Sequence, residues 1–475
     1  MAYSVLQKAA ASPGQRTLAL WTILAAQLML QMDFLIVIVA LPRIQQDLGF
    51  SAAGLSWVPN AFALAFGGLL LLGGRLGDLL GQVRAFRIGL IIFIVASLLG
   101  GLAGSAPMLV LARVLQGMGA ALAGPSVLAL ITVMARDEAE RAKGLSLFIA
   151  VSSIGASAGL ILGGALTDFL SWRWSLLINV PVGIAVVALI GLLADETPHR
   201  SARLDIGGAL TATMGSVALV YGFIHAAQSG WTNIQTLSIF AGAALLFAIF
   251  YSIESKHTSP LLDLGLLQSG QRNAGLVVMA LIVGMHFSVL FLLVQYLQRI
   301  LGLSPLMAGL AYVPLTATVF AITHFVPRLV ERLGPRLMLI VGSSLVAISL
   351  ALFALIDDHS TYFPNVLLPL LLHAVGIALV FAPGTMAIMH GVPNEHAGTA
   401  SGLLQMDQQI GGALGIAIIA AVSALSTHSG DATSGLKFAF IAAALIAALS
   451  AAVALGTVRD IRTGSSNAGV KFRDQ

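Results

Sequence analysis

The sequence predicts an all-α membrane protein that crosses the bilayer about fourteen times. Of the 475 residues, 58% are hydrophobic and only 9% are charged, whereas an ordinary soluble domain has about 25% charged residues. The mean hydropathy is +0.96. Apolar runs of about 20 residues, each long enough to cross a bilayer as a helix, recur along the whole chain. These observations together exclude a soluble protein.

Two groups of six helices are predicted, with two additional helices between them. Their limits are set by charge clusters and by Gly or Pro residues that bound the apolar runs. The predicted helices are 17–41, 54–74, 87–105, 107–135, 144–168 and 173–194 in the first group, 206–227 and 234–254 in the additional pair, and 273–300, 305–330, 338–356, 364–390, 400–426 and 435–457 in the second group. The corresponding domains are an N-terminal tail 1–16, a first bundle 17–194, a linker 195–272 with the additional pair, a second bundle 273–457 and a C-terminal tail 458–475.

The distribution of basic residues predicts the orientation of these helices. If the N-terminus is cytoplasmic, 4 of the 24 Lys and Arg residues fall on outer segments and 1 lies within a helix, which leaves 19 on the cytoplasmic side. An excess of this kind is the positive-inside pattern. It predicts fourteen spans in the inner (cytoplasmic) membrane with both termini in the cytoplasm.

Several function classes are excluded by missing motifs. No Gly-Lys dipeptide occurs, so the chain has no phosphate-binding loop for direct use of ATP. With 0 cysteines there is no disulfide framework, no Cys-ligated zinc and no thiol chemistry. Hydrolase motifs are absent as well, and no soluble stretch is long enough to carry a basic patch for nucleic acid. We therefore expect no enzyme activity, no cofactor, no metal and no nucleic-acid partner.

Asp33 is the one formal charge within the first predicted helix. A carboxylate near the middle of a bilayer costs about 2.5–3.5 kcal/mol on insertion scales, so it is expected to face the bundle interior or a water-filled cavity. Intramembrane acids usually mark an ion or proton pathway. Asp33 is therefore a candidate functional residue, with neutralisation in helix packing as the alternative.

An internal repeat relates the two groups of helices. The segments 74–84 and 327–336 each contain an acid, Asp78 or Glu331, three residues before a Gly. In each segment a basic residue, Arg84 or Arg336, follows within three positions of that Gly. The first segment resembles the cytoplasmic signature G-x-L-a-D-r-x-G-r-k of the major facilitator superfamily, to which Gly74, Leu76, Asp78 and Gly81 correspond. Gln82 and Val83 stand at two basic positions of that signature, and Arg84 comes one residue late.

The resemblance implies a major facilitator fold of two six-helix bundles and a conformational latch in these loops. Such a latch would be an acid held by neighbouring arginines and by a helix end. The alternative is a solvated turn that only follows the positive-inside pattern. The latch residues implied are Gly74, Arg75, Asp78, Gly81, Arg84, Glu331 and Arg332.

Four further stretches and the central pair of helices resemble the fourteen-span drug:proton antiporter branch of this superfamily, which includes quaternary-ammonium efflux pumps. These stretches are 32–42 with 56–58, 113–120, 171–181, and 401–412. By this resemblance Asp33 corresponds to an acid implicated in proton coupling and cation recognition, and Arg113 to an arginine that assists proton transfer. A purely structural ion pair at Arg113 stays open.

Helix 5 carries a row of glycines at every fourth position, Gly155, Gly159 and Gly163, followed by Gly164. A smooth row of this kind lets another helix approach closely. It also resembles the antiporter motif G-x-x-x-G-P-x-x-G-G, except that Leu160 stands at the proline position. From the residues alone, close helix packing is the favoured interpretation.

Asp407 is a second acid within a predicted helix, and it shares a face with Gly411 and Gly415. It is either a second proton or cation site or part of a polar cluster wetted from the cytoplasm.

Histidines in or at the ends of second-group helices are either titrating groups or hydrogen-bonded packing residues; they are His286, His324 and His373. Trp57 and Trp172 suit the membrane interface, and we favour that position for Trp172. Polar residues expected to line a substrate cavity are Asn60, Gln116, Gln295, Tyr296, Gln405 and Gln409.

The function expected from these patterns is proton-coupled export of lipophilic, often cationic, compounds by alternating access. The expected partners are protons, such compounds and the lipid bilayer, and the chain is expected to act as a monomer. A proton-coupled transporter of a neutral or anionic metabolite on the same fold remains an alternative. A second alternative, a non-transporting membrane sensor, is disfavoured because no soluble domain is visible to deliver a signal.

Overall fold

A computed structural model describes residues 13–193, 205–257, 262, 264–392, 397–425 and 434–457. These residues form sixteen α-helices joined by short turns. The helices are α1 (Pro13–Leu48), α2 (Trp57–Leu80), α3 (Gln82–Gly101), α4 (Ala106–Met134), α5 (Glu138–Phe169), α6 (Trp174–Leu177), α7 (Asn179–Leu193), α8 (Ile206–Ser229), α9 (Ile234–Glu254), α10 (Gly270–Arg299), α11 (Pro305–Leu310), α12 (Val313–Thr323), α13 (Val326–Phe353), α14 (Leu367–Met389), α15 (Ala397–Leu425) and α16 (Ser434–Thr457).

Among the described residues, 13 helical segments are long and apolar enough to cross a membrane. A shorter apolar segment, Trp174–Ile190, contains α6 and most of α7 and completes a set of fourteen. The predicted all-α fold with two groups of six helices and an additional pair is confirmed. Most of both predicted tails and of the segment between α7 and α8 lie outside the described residues.

The first helix is longer than predicted. α1 begins at Pro13 and continues past Pro42 to Leu48, whereas the apolar run ends at Leu41. Arg43 marks the end of the apolar run rather than the end of the helix. A proline within a membrane helix is tolerated where neighbouring groups satisfy the backbone that it frees, and the Nε2 amide of Gln298 donates a 2.7 Å hydrogen bond to the carbonyl of Val39 near this proline.

The same helix pairings recur in the two groups. In the first, α1 packs on α5 and α3 on α4; in the second, α10 packs on α15 and α13 on α14. A Cβ added to Gly89 would lie 2.7 Å from the carbonyl oxygen of Gly119, and one added to Gly342 would lie 2.8 Å from that of Gly376. These two close crossings, α3 on α4 and α13 on α14, are therefore equivalent, and they extend the internal repeat into the helices.

The two signature segments also share a backbone conformation. Gly81 has φ 92° and ψ 142°, and Gly334 has φ 77° and ψ 154°. Residues with a side chain rarely adopt such positive φ values, so each turn requires its glycine. We call the end of the bundle that holds these two glycines the arginine-rich end and the other end the opposite end.

The latch residues at the arginine-rich end differ in detail from the expectation. Asp78 lies in the last turn of α2 and accepts a 3.1 Å hydrogen bond from the Nε2 amide of Gln82, the residue that replaces a basic one in the signature. In the second copy, the predicted loop is part of α13, which is broken at Gly334. Glu331 and Arg332 are exposed there. The predicted helix 305–330 accordingly ends early, at Thr323, with α13 starting at Val326.

The additional helices stand at the seam between the groups. α8 packs against both α2 and α15, and α9 packs on α8. A Cβ on Gly68 of α2 would lie 2.5 Å from the Oγ1 atom of Thr213 on α8, and the rings of Trp57 and Tyr221 are 6.3 Å apart. The additional pair therefore supports the place where the two bundles meet.

The glycine row of α5 packs against α1 and against the second bundle. A Cβ on Gly159 would lie 2.9 Å from the carbonyl oxygen of Met32, and one on Gly163 would lie 2.2 Å from that of Ile36. Gly155 faces α1 at a less extreme but still close separation, with Gln31 Cβ 3.1 Å from such a position. Gly164 faces Pro305 of α11, whose carbonyl oxygen would be 2.5 Å away. Glycines thus bring three helices together near the opposite end.

The opposite end is closed by contacts between the bundles. Besides the bond from Gln298 to Val39, the guanidinium of Arg299 donates to the Oε1 atom of Gln45. The backbone of Leu160, at the position of the family's proline, would lie 2.4 Å from a Cβ on Gly309 of α11. α10, α11, α1 and α5 are therefore held together at this end.

Candidate functional site

The carboxylate of Asp33 is the centre of a polar network inside the first bundle. Its Oδ2 atom accepts a 2.5 Å hydrogen bond from the Nη1 atom of Arg113. Its Oδ1 atom accepts hydrogen bonds from the amides of Gln116, at 3.0 Å, and Asn179, at 2.6 Å. Asp33 and Arg113 are both fully buried, with 0% exposure. Two opposite charges are thus paired and hydrogen-bonded out of contact with solvent, as buried charges must be.

Arg113 has further partners that do not depend on Asp33. Its Nε atom donates to the carbonyl of Val58 at 3.1 Å, and its Nη1 atom donates to the Oε1 atom of Gln116 at 2.8 Å. The guanidinium carbon also lies 4.5 Å from the centre of the Phe62 ring, a cation–π contact. The Nη2 atom has no hydrogen-bond partner among the described residues.

Close packing of α2 and α4 places this arginine. A Cβ on Gly117 would lie 2.6 Å from the carbonyl oxygen of Phe62, so the two helix backbones almost touch one turn from Arg113. At this separation the side chain reaches the α2 backbone at Val58. Gly117 therefore determines how near the guanidinium lies to α2.

Ser97 and Asn179 are members of the network that sequence reasoning missed. Gln116 donates from Nε2 to the Oγ atom of Ser97 at 2.8 Å, and Ser97 in turn donates to the carbonyl of Phe93 at 2.7 Å. Asn179, the first residue of α7, is a polar residue in an apolar run just before Pro181, a pattern that was visible in the sequence. No sequence pattern distinguishes Ser97 from other serines in apolar helices.

The predicted cavity residues do not form one group. Gln116 is fully buried and belongs to the Asp33 network, and its place in a substrate cavity stays a prediction. Tyr296 is also fully buried, and its hydroxyl donates to the backbone carbonyl of Asp357 at 2.8 Å, which makes it a packing residue. Gln295 donates to the carbonyl of Phe291 in its own helix.

The remaining cavity residues lie around the seam of α2 and α15. Gln409 packs against α2, where its Cβ would be 2.6 Å from a Cβ on Gly67, and Gln405 is exposed. Asn60 on α2 is fully buried, and neither atom of its amide has a hydrogen-bond partner among the described residues. Buried polar groups are normally paired, so this amide suits an ordered water.

Asp407 does not join the Asp33 network. It lies on α15, and its Oδ2 atom has no hydrogen-bond partner in the part of the chain that the structure describes. Trp172 is 4% exposed, so its side chain packs inside the protein, and its place at the depth of the membrane interface stays a prediction. Its Nε1 atom donates to Asp47 at 2.9 Å, and Arg173, which binds the same carboxylate, covers the Trp172 ring.

A row of aromatic rings connects the network to the second bundle. The ring of Phe62 lies 6.1 Å from that of Phe34, and Phe34 lies 4.8 Å from Phe287 of α10. Because Phe34 follows Asp33 in the chain, a ring that contacts the second bundle is one position away from the buried acid. A change at Asp33 is therefore close to the contact between the two bundles.

The sequence profile of the Major Facilitator Superfamily matches residues 23–416. The chain belongs to this superfamily. It is therefore a membrane transporter and not an enzyme, as the motifs predicted. The Asp33 network lies within the matched residues.

Relatives named for antibiotic resistance or export are similar to this transporter over most of its length. A puromycin resistance protein of Streptomyces alboniger is 39% identical over 420 residues, which cover 87% of this chain and 83% of that protein. A cephamycin export protein of Amycolatopsis lactamdurans is 35% identical over 455 residues, covering 93% and 94%. The predicted relationship to the drug-efflux branch of the superfamily is confirmed.

Solved structures share the fold. A bacterial homologue of the human lysosomal transporter Spinster, in an inward-facing and occupied conformation, has a TM-score of 0.70 at 17% identity and covers 94% of this chain and 97% of its own. A peptide transporter bound to sulfate has a TM-score of 0.67 at 15% identity, covering 92% and 93%. At these identities the likeness concerns the fold alone.

Proposed function

We propose that this transporter is a proton-coupled exporter of lipophilic, often cationic, drugs, and that Asp33 carries the coupled proton. The observation that supports this most directly is the buried pair of Asp33 and Arg113. Arg113 stays charged under all physiological conditions, whereas the carboxylate can gain or lose a proton. Asp33 is therefore the member of the pair that can change its charge.

The network keeps Arg113 hydrogen-bonded both when Asp33 is ionised and when it is protonated. When Asp33 is protonated, Arg113 loses a counter-ion but keeps Val58, Gln116 and the Phe62 ring. Asn179 can still donate to the acid. Protonation then weakens one contact between α1 and α4 rather than unfolding the site. A ligand, here the proton, shifts a conformational equilibrium only if its affinity differs between the two conformations. The contact between Asp33 and Arg113 provides that difference in affinity.

Drug and proton are coupled through the helices and do not compete directly for the Asp33 carboxylate. Asp33 is fully buried and has three hydrogen-bond donors, so a drug does not reach it in this state. We place the drug between the bundles, against the rings of Phe34 and Phe287. Flat apolar rings suit lipophilic cations, and several relatives are named for resistance to antibiotics or for their export.

Alternating access follows from the contacts at the opposite end. This end is closed by Gln298, Arg299 and the glycine contacts of α5 with α11. We assign the arginine-rich end to the cytoplasm, in the inner membrane with both termini inside, because of the positive-inside pattern. Rocking of the bundles then breaks the closing contacts and opens the site outward. Both bundles come from one chain, so we expect a monomer.

The experiment is drug-driven proton movement in proteoliposomes that hold the purified protein and an internal pH dye. Tetraphenylphosphonium and puromycin serve as probes, with an uncharged amphiphile for comparison. In the wild type the charged probes drive proton flux, and in Asp33→Asn the flux is lost because the side chain no longer exchanges a proton. Asp168→Asn is the matched control, since Asp168 is exposed on α5.

Two outcomes would contradict proton coupling at Asp33, and a third would contradict the preference for cations. Transport of probes without proton movement in the wild type would show that export is not proton-coupled. Proton flux in Asp33→Asn equal to that of the wild type would show that another group carries the proton. Flux driven by the uncharged amphiphile alone would leave proton coupling in place and contradict the preference for cations.

A further inference from the structure

The second bundle contains a buried pair of histidines that the mechanism above does not use. The Nδ1 atom of His286 on α10 lies 3.2 Å from the Nε2 atom of His373 on α14, and the two rings are stacked with centroids 5.4 Å apart. The Nδ1 atom of His373 lies 3.2 Å from the Oγ atom of Ser349 on α13. His373 is fully buried, whereas His286 is partly exposed.

The directions of these hydrogen bonds follow from the serine. Ser349 donates its hydroxyl proton to the carbonyl of Val346 at 3.1 Å, so its oxygen accepts from the Nδ1–H of His373. The Nε2 atom of His373 is then an acceptor, and His286 donates to it from Nδ1. With this assignment both rings are neutral and both ring N–H groups have an acceptor. The Nε2 atom of His286 keeps a free lone pair.

The internal repeat relates this pair to the Asp33 network. Gly119 and Gly376 occupy equivalent places at the two close crossings, and Gln116 precedes the first by three residues as His373 precedes the second. Gln116 also binds a serine on the neighbouring helix, Ser97, as His373 binds Ser349. The second bundle therefore has a titratable ring where the first bundle has the amide that holds its acid.

The pair is also connected to the interface between the bundles. His286 precedes Phe287, whose ring lies 4.8 Å from that of Phe34, the residue next to Asp33. α10 packs among α1, α14, α15 and α16. His286 therefore lies on a helix that contacts both bundles, next to the residue whose ring meets Phe34.

No unpaired charged group on the surrounding described helices lies at the same level along the helix axes as the histidine pair. Asp33 on α1 is bound to Arg113. Asp407 on α15 is one turn below Gly411, which packs on Ala280, so it is about 15 Å from His286 along the helix axis. The hydroxyls of Tyr296 and Tyr312 donate to backbone carbonyls. The other groups lie towards helix ends: Arg16, Arg43 and Asp47 on α1, Arg272 and Arg299 on α10, His324 after α12, Arg328, Glu331, Arg332 and Arg336 on α13, His390 after α14 and Lys437 on α16.

We propose that His286 and His373 form a second proton-binding site, so that the exporter carries one proton in each bundle. A proton from water adds to the free Nε2 atom of His286, where one N–H bond forms and the ring becomes an imidazolium. Its Nδ1–H remains bound to His373, which shares the added charge along the hydrogen bond. Release into water reverses this single bond change. This role in coupling rests on the proposed function, whereas proton binding itself does not.

Proton binding is tested without transport. The full-length protein, with isotopically labelled histidine ring nitrogens, is placed in lipid nanodiscs, and its nitrogen NMR signals are recorded between pH 5 and 8. Two signals are expected to change together with one apparent midpoint, because a shared proton titrates the pair as a unit. Both changes are lost in His286→Gln and retained in His324→Gln, the control at an exposed histidine. Signals that keep their neutral pattern over the whole range would overturn the proposal.

The contribution to coupling is tested by the number of protons moved for each tetraphenylphosphonium ion in proteoliposomes. His373→Gln places at this position the residue type of its equivalent, Gln116, so the fold is expected to tolerate it. The expected result is a ratio lower by one proton than in the wild type, with probe transport retained. An unchanged ratio would overturn the role in coupling. If the wild type moves no protons with the probe, the proposed function fails, and the NMR experiment still decides whether the pair binds a proton.

Discussion

Removing either member of the Asp33–Arg113 pair is expected to destabilise the protein, and removing both is expected to cost less than the sum. Breaking a buried ion pair by changing one partner costs about 3–5 kcal/mol, because a charge is left buried and unpaired. The amide of Asn in Asp33→Asn has only one acceptor oxygen. Its N–H groups therefore point either at Arg113 or at the donor groups of Gln116 and Asn179. Arg113 cannot release its charge.

Arg113→Met is expected to be milder than Asp33→Asn. The carboxylate that remains keeps the amides of Gln116 and Asn179 as donors, and it can take up a proton instead of staying charged. We expect a cost of about 2–3 kcal/mol for this change, from the lost charged hydrogen bond and the lost contact with Phe62. The double variant leaves no unpaired charge, so the coupling energy between the two positions is expected to be about 1–3 kcal/mol.

The assay is reversible unfolding of the purified protein in mixed detergent micelles, followed by tryptophan fluorescence, for the wild type, both single variants and the double variant. Asp168→Asn, at an exposed carboxylate, should stay within about 0.5 kcal/mol of the wild type. If the double variant loses the sum of the two single effects within about 0.5 kcal/mol, the two side chains are not energetically coupled. That result would refute the structural basis of the proposed mechanism.

Two further predictions concern helix packing and the closed end. Gly163→Ala is expected to destabilise the protein by about 1–3 kcal/mol, because the new methyl group would lie 2.2 Å from the Ile36 carbonyl oxygen. Unfolding in detergent micelles measures this loss of stability. A stability equal to that of the wild type would show that α1 and α5 are packed less closely than the structure has them. Gly104→Ala is the control, since nothing lies within 4 Å of that position. Gln298→Ala is expected to shift the population towards a state open at the opposite end, because a hydrogen bond between the bundles is lost. Spin labels on single cysteines introduced across this end, in a chain with 0 native cysteines, should then show longer distances, whereas Gln27→Ala, which removes a bond within the first bundle, should not.

The sequence was sufficient for features that depend on local composition. The bounds 234–254 of one additional helix agree with α9 at both ends because an apolar run flanked by polar residues determines a membrane helix. Helix ends were less predictable where charge and helix end do not coincide, as at Arg43 within α1. Likewise, the segment around Glu331 was predicted as a loop, and the structure has a helix broken at one glycine.

At the candidate site, Asp33 and Arg113 were recognisable because a formal charge in an apolar run is rare and needs a partner. Ser97, Asn179 and the pairing of His286 with His373 were not predictable in the same way. Their roles arise from contacts between residues on different helices that are 19 or more positions apart in the chain, such as the 87 positions between the two histidines.

The sequence by itself therefore determined the membrane class, the number of membrane spans, the internal repeat and the acid at the centre of the first bundle. These properties follow from hydropathy and charge along single helices, because the bilayer requires each span to satisfy its own backbone. Only the tertiary structure decided which polar groups meet: that Gln116 holds the acid, that Trp172 is buried against Asp47, and that two histidines share a hydrogen bond. Side-chain partners depend on the rotation and depth of each helix against its neighbours, and small residues such as Gly117 and Gly163 determine these through packing between helices.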